Sequence, residues 1–240
     1  MKRPIDDHAQ RFDEKAERYD ENQQHPAYRE CADLVVEHAS PGSDEVVLDL
    51  GCGTGAIALA LAPAAQRVVG RDVSEGMLER AREKAASRGI ENVNFGTGRF
   101  RDPNYDGPVS IVTSNFAMHH LDDAAKREAI AVIAALEPRR FVLGDVMFFG
   151  EPDPDEPFYD PTVDDPATVG ILADALTDAG FALVAVERVS DQVGVLVSDR
   201  VDAVDAAHVD AADAAWADSV DDARADTGDT AQEGGVEPDR

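Results

Sequence analysis

Between Val46 and Arg200, short apolar, β-branched runs alternate with stretches whose apolar residues recur at three-and-four spacing. The runs at 46–50, 67–71, 92–95, 109–114, 139–146, 182–189 and 193–198 predict seven strands, and the stretches at 55–62, 74–88, 123–136 and 166–179 predict helices. Strand and helix in alternation predict a doubly wound α/β sheet, mostly parallel, with helices on both faces. Boundary residues agree. Ser74 is placed to cap the helix at 74–88 with Glu75 in its first turn, Asp122 to cap the one at 123–136, Asp165-Pro166 to open the last and Gly180 to close it. No helix separates the last two strands, so they are expected to form an antiparallel hairpin at the sheet edge.

Two further regions flank this body. Residues 6–38 read as helical, with Phe12, Ala16 and Tyr19 and then Cys31, Leu34, Val35 and His38 on apolar faces and a break at His25-Pro26. They define a helical cap, residues 1–42, ahead of the doubly wound domain at 43–200. Residues 201–240 interleave aspartate with alanine around a single large anchor, Trp216, and read as an acidic tail, partly helical to about 217 and disordered beyond.

Composition adds environment. A hydrophobic share of 43% suffices for a core. No apolar stretch approaches the roughly 20 residues of a membrane span, and the N-terminus turns acidic before any apolar run, which gives a soluble, cytoplasmic expectation. The two cysteines, Cys31 and Cys52, exclude a disulfide scaffold and a cysteine zinc site. With 22 Lys and Arg against 49 Asp and Glu, the net charge is −27, spread along the whole chain. Such a charge repels itself in dilute buffer but is screened in molar salt, where the Debye length falls to about 3 Å. The reading is a halophile-type protein, and its melting temperature is expected to rise between dilute buffer and molar KCl; an unchanged value overturns this.

The segment Asp49-Leu50-Gly51-Cys52-Gly53-Thr54-Gly55 runs from a strand through three alternating glycines into a helix, a turn that lets a ligand approach the backbone at a helix N-terminus. A dinucleotide fingerprint needs G-x-G-x-x-G, whereas here the third glycine comes one residue early. Asp49 would also repel a pyrophosphate, so the ligand is expected to be cationic at this end.

The turn resembles the first motif, E/D-x-G-x-G-x-G, of the class I S-adenosylmethionine-dependent methyltransferases, and the resemblance extends over residues 12–200. It implies strand order 3-2-1-4-5-7-6 with strand 7 antiparallel. It also implies S-adenosylmethionine bound by Asp49, Gly51, Cys52, Gly53 and Gly55, with Asp72 and Val73 after the second strand at the ribose. A helix-capping role alone is the bland alternative for Asp49 and Asp72. Where the family has G-D-[AV] after the third strand, this chain has Gly98-Arg99-Phe100, so Arg99, which only donates hydrogen bonds, stands at the adenine position beside Phe100, and Asp102 or backbone carbonyls are left to accept from the adenine amine.

The fourth strand ends in Ser114-Asn115-Phe116-Ala117-Met118-His119-His120-Leu121, which resembles the S-x-x-x-x-H-H-L segment of the small-molecule and quinone-type branch. Asn115 is then expected at the cofactor. His119 or His120 is a candidate general base, a neutral imidazole being available near pH 7; no metal is expected, since no third ligand sits at suitable spacing. Tyr19, Tyr28, Asp145 and Tyr159 are expected to line the acceptor site, with the proline-rich loop at 150–160 as a lid. The expected partner is a small-molecule methyl acceptor. RNA or protein methylation is disfavoured because no basic, aromatic-laced strip appears, and a non-catalytic cofactor-binding protein of the same fold is the third reading.

Overall fold

The computed structural model describes residues 5–22, 25–151 and 157–201. The tail with Trp216 and part of the proline-rich loop lie outside the described residues. Helix α1 (Ile5–Lys15), a 3-10 turn (Ala16–Arg18), α2 (Tyr19–Asn22) and α3 (Pro26–Ala39) precede the sheet. Pro26 opens α3, where its missing N–H is no loss, and His25 Nδ1 accepts from Ala27 N at 3.2 Å.

The chain then runs β1 (Val46–Leu50), α4 (Ala56–Leu61), β2 (Arg67–Asp72), α5 (Glu75–Arg88), β3 (Val93–Thr97), β4 (Ile111–Asn115), a 3-10 turn (Met118–His120), α6 (Asp123–Ala135), β5 (Arg140–Phe148), β6 (Ala167–Thr168), α7 (Val169–Asp178), β7 (Phe181–Arg188) and β8 (Val193–Arg200). The sheet order is β3-β2-β1-β4-β5-β8-β7, and β8 is antiparallel to both neighbours. Setting aside β6, this is the expected order with its antiparallel edge hairpin.

One additional strand, β6, was not expected. Residues Ala167 and Thr168 pair in parallel with Met147 and Phe148. The last helix accordingly starts later than Asp165-Pro166: the Thr168 hydroxyl accepts from Ile171 N at 3.2 Å and caps α7. Ser74 and Asp122 cap α5 and α6 as read.

One apolar layer packs α3, α4 and α5 on the sheet through Val35, Ile57 and Leu78; the other packs α6 and α7 on the opposite face through Ile130, Ile133, Leu172 and Leu176. All of β1 and nearly all of β4 and β5 are buried, as parallel strands covered on both faces require. Close approach of α3 depends on Gly144 in β5. A Cβ there would lie 2.5 Å from Val35 Cγ2, 2.5 Å from Asn115 Oδ1 and 2.8 Å from Cys31 Sγ. Gly144→Ala is therefore expected to destabilise by about 1–3 kcal/mol, measured by thermal denaturation, because α3 must lift off the sheet.

Candidate functional site

The site forms where β1 and β4, neighbours in the sheet, send their following chains in different directions. Gly51, Gly53 and Gly55 all take positive φ, at +71°, +51° and +82°. The amides of Gly51 and Cys52 both donate to Arg71 O, at 2.8 and 3.1 Å, which fastens the turn to the end of β2. A Cβ on Gly51 would stand 2.3 Å from Ala117 Cβ, whereas at Gly53 the nearest atom is Tyr19 Cε1 at 4.0 Å. Gly51 thus permits close packing on the chain after β4, and Gly53 opens onto a cavity. Gly55 lines neither of the two lobes that meet at this turn; its missing side chain makes room for Phe95 and Ala81.

Two lobes meet at this turn and share Tyr19, Gly51, Gly53 and Phe116. The larger, about 480 Å³, is walled by Phe12, Asp72, Val73, Met77, Arg99, Phe100, Asp102, Ala117 and His120. The smaller, about 240 Å³, is walled by Tyr28, Asp49, Cys52, Thr54, Ile57 and Asn115. Asn115 Oδ1 also accepts from Cys31 Sγ at 3.3 Å, which turns the amide toward α3. The Arg99 and Asp102 backbones bond to each other, at 2.8 and 3.1 Å, in a tight turn at the outer rim of the larger lobe.

A carboxylate stands in each lobe. Asp72 accepts from Gly53 N at 2.8 Å and Ser74 N at 2.9 Å, and burial still raises its pKa against those amides. Asp49 is 1% exposed. Burial lifts its pKa to about 7, against the Thr113 hydroxyl bond and the field of the Ala58 amide. Thr113 Oγ1 donates to Asp49 Oδ1 at 2.9 Å, whereas Asp49 Oδ2 has no hydrogen-bond partner among the described residues. A desolvated carboxylate with one unmet oxygen favours a cation beside it.

The N-terminal helices are fastened over this opening. Ser74 Oγ donates to Asp13 at 2.5 Å, Gly76 N donates to the same oxygen at 2.9 Å, and Asp20 takes the Thr54 hydroxyl at 2.7 Å and Lys84 Nζ at 2.5 Å. These contacts place Phe12 and Tyr19 on the cavity wall. Phe116, at the end of β4, holds a left-handed φ of +52°, and its ring meets Tyr28 at 4.4 Å between centroids while Tyr28 meets Phe158 at 5.1 Å. A bulky residue in that conformation is strained, and it is held there by Phe116 N donating to Gly144 O at 2.9 Å.

Three expected site residues face elsewhere. Asp145 is buried and fully engaged: it takes the amides of Met118 at 2.8 Å, His119 at 3.0 Å and Val146 at 2.7 Å, and His119 Nδ1 at 2.5 Å. It is the anchor of the turn after β4, not a cavity wall, and it draws His119 away from the cavity with it. Tyr159 packs on Phe148, ring centroids 5.7 Å apart, and lines neither lobe. His120 alone of the histidine pair reaches the larger lobe. Sequence reading missed Phe12, Phe116 and Asp164 as site residues. Phe12 carried a helix-face signal, but nothing local marks Asp164, whose Oδ1 lies 2.7 Å from His120 Nδ1 across 44 positions.

Residues 47–138 match a family profile described as a methyltransferase domain. An uncharacterized methyltransferase of Bacillus subtilis, YcgJ, is 36% identical over 115 residues, 47% of this chain and 45% of its own. The crystal structure of YcgJ superposes with a TM-score of 0.58 at 26% identity, covering 67% of this chain and 71% of that one. The cypemycin N-terminal methyltransferase of Streptomyces is 34% identical over 140 residues, 53% of this chain and 55% of its own. The chain spans about half the length of these curated relatives. A magnesium protoporphyrin IX methyltransferase from Synechocystis, crystallised with bound S-adenosylmethionine, shares the fold at a TM-score of 0.59 and 23% identity, over 72% of this chain and 80% of that one.

Proposed function

We propose that this chain is a class I S-adenosylmethionine-dependent methyltransferase, a reading supported by the match of residues 47–138 to a methyltransferase domain profile, and that it methylates a small molecule held under its N-terminal helices. The observation that carries the reading is the pairing of the unmet, buried Asp49 oxygen in one lobe with the amide-braced Asp72 in the other, on either side of the open Gly53 face. That polarity suits a ligand with an ammonium at one end and a vicinal diol near its middle. S-Adenosylmethionine is such a ligand.

Asp49 would face the α-ammonium, the Gly51 and Gly53 backbone would lie along the chain of the ligand, and Asp72 would accept from both ribose hydroxyls. Val73, Met77 and Phe100 supply apolar surface for the adenine. Arg99 offers donors only, so the Asp102 carboxylate or a backbone carbonyl of the same lobe is left to accept from the adenine amine. The bound cofactor supplies an electrophilic methyl carbon, and such transfer asks of the protein chiefly alignment and exclusion of water. Phe12, Tyr19 and Phe116 provide the apolar wall that does this, and the helices bearing Phe12 and Tyr19 are pinned by Asp13 and Asp20.

A cavity of this size under a fastened cap suits a small acceptor, and a net charge of −27 opposes a polyphosphate chain. The protein should be incubated in molar KCl with methyl-labelled S-adenosylmethionine and, in separate tubes, a small-metabolite extract, bulk tRNA and mixed protein. Label entering the metabolite fraction is expected. Label entering tRNA or protein overturns the acceptor class, and no transfer by a protein that binds the cofactor leaves a non-catalytic binder.

A further inference from the structure

Resting on that transferase reading, we infer that Arg71 is a positioning residue for the cofactor: its guanidinium fixes the loop at 98–105 from beneath, and the fixed loop is what prefers adenine to another base. Arg71 itself lines neither lobe. A side chain on Gly70, one residue earlier in β2, would meet Phe95 and Cys52 on the α4 and α5 side. Arg71 therefore turns to the opposite face of the sheet. Among the described residues no helix links β3 to β4; residues 98–110 cross that face instead, with Phe100 and Tyr105 packed on its apolar layer.

The Arg71 side chain is 8% exposed and meets no carboxylate among the described residues. Its donors go to carbonyl and amide oxygens. Nη1 donates to Gly70 O at 2.9 Å, Asn94 Oδ1 at 3.1 Å and Asn94 O at 3.3 Å, and Nε donates to Asn104 O at 3.3 Å. The guanidinium carbon lies 5.9 Å from the centroid of the Tyr105 ring, whose hydroxyl donates to Pro108 O at 3.2 Å. A cation withdrawn from water is costly unless its donors are met, so these oxygens and the guanidinium hold one another in place. A planar fork of donors grips β2, β3 and the loop at once, which the single ammonium of a lysine cannot do.

The loop closes over this cation. Gly98 N donates to Asp72 O at 3.0 Å, and Asn104 Nδ2 donates to Thr97 O at 3.0 Å. Asn104, whose carbonyl Arg71 holds, takes a left-handed φ of +50°. A Cβ on Gly98 would stand 3.1 Å from both Cβ and Cδ of Arg71 and 2.6 Å from Pro103 O, so the loop rests directly on the arginine stem. The loop then walls the larger lobe with consecutive residues, Gly98 to Asp102. The Asp102 carboxylate and the backbone carbonyls left to accept from the adenine amine belong to this stretch. Arg71 O meanwhile takes the amides of Gly51 and Cys52. One residue thus fastens the glycine turn through its backbone and the base-facing loop through its side chain.

The consequence is selectivity. Adenine presents an amine donor beside a ring-nitrogen acceptor, whereas hypoxanthine presents a carbonyl acceptor beside an N–H donor in the same two places. Acceptors held at a fixed distance separate the two bases, and acceptors free to shift with the loop do not.

The test titrates full-length protein in molar KCl by calorimetry with S-adenosylhomocysteine and with S-inosylhomocysteine, its hypoxanthine counterpart. Wild type is expected to prefer the adenine ligand by about 10-fold or more. Arg71→Met keeps the stem and removes the donors, and should bring that preference to within about twofold. Arg71→Lys keeps the charge without the fork and should fall between. Asn94→Ala takes one acceptor from the guanidinium at a residue that lines neither lobe, and should lower the preference by less; it carries the comparison if Arg71→Met does not fold. A wild type without preference overturns the inference. So do variants that weaken both ligands alike and keep the ratio, which is what a merely stabilising arginine would give.

Amide hydrogen exchange on the ligand-free proteins gives a second reading that needs no cofactor. The amides of Gly98, Arg99 and Asp102, each bonded within or at the foot of the loop, should exchange about 10-fold faster or more in Arg71→Met while those of α6 stay protected. Unchanged loop protection overturns the inference. A wild type that binds neither ligand strikes the transferase reading, and the exchange rates still uphold or overturn the hold of Arg71 on the loop.

Discussion

Replacing Asp72 by Ala is expected to weaken S-adenosylmethionine binding by about 100-fold or more. Its carboxylate is braced by the amides of Gly53 and Ser74, which fix its position without consuming all of its lone pairs. Each hydrogen bond to a charged partner is worth about 1.5–3 kcal/mol, so two ribose hydroxyls together account for a loss of that size. The alanine variant also orphans the two amides, which loosens the glycine turn at the residue facing the cavity. Asp72→Asn keeps one carbonyl oxygen and should fall between alanine and wild type. Calorimetric titration in molar KCl reads all three; wild-type affinity in the alanine variant would mean that the ribose is held elsewhere.

The glycine turn and its two aspartates were legible in the sequence because the information is local. A strand, a tight turn and a helix start must follow each other within a dozen residues, and the chemistry of the turn restricts what can stand there. The edge hairpin was legible for the same reason, since two strands without an intervening helix have one simple pairing. The order of the remaining strands came from family resemblance and not from periodicity. β6 was invisible, two residues being too few to carry a period.

The wall opposite the glycine turn was less legible. Adjacency in sequence suggests that two histidines diverge, yet the rings of His119 and His120 lie 4.0 Å apart, and which one lines the cavity depends on Asp145, whose donors come from 26 or 27 residues earlier as well as from its own neighbour. Reading Asp145 as an acceptor contact from its place at a strand end took no account of those donors. Tyr159 shows the same limit: a tyrosine in a loop at the binding edge turns onto Phe148. Asp164 carried no signal because a lone aspartate in an acidic loop looks like its neighbours until the fold brings it to His120. Gly55 was placed in the binding motif by its spacing, and the fold adds a packing reason for it, since a side chain there would meet Phe95 and Ala81.

Asp49→Asn is expected to raise the stability of the cofactor-free protein at pH 8 while weakening cofactor binding. The direction follows from linkage. The buried Asp49 titrates at about 7, well above its ordinary value near 3.8, so between those values the folded protein binds this proton more readily than the unfolded chain. Stability from this group is therefore full at acid pH and is lost as pH rises through 7. Three units correspond to about 4 kcal/mol at most, and at 2–4 °C per kcal/mol the asparagine protein should melt on the order of 10 °C higher at pH 8, with the difference vanishing near pH 4. Asparagine keeps an oxygen for Thr113 while removing the charge. Saturating S-adenosylhomocysteine should narrow or reverse the gap, because the ligand's ammonium offsets the buried charge only when that charge is there; the loss of one such pairing is expected to cost about 10–100-fold in affinity, or about 1.4–2.8 kcal/mol. Thermal denaturation at pH 5 and pH 8, with and without the ligand, separates the possibilities. A less stable asparagine variant at pH 8 in the absence of ligand would show that Asp49 is satisfied within the protein, and an unchanged affinity would show that the ammonium does not sit beside it. On this expectation the carboxylate makes the ligand-free protein less stable at pH 8 than it need be, and a cofactor whose positive end lay beside it would remove that cost.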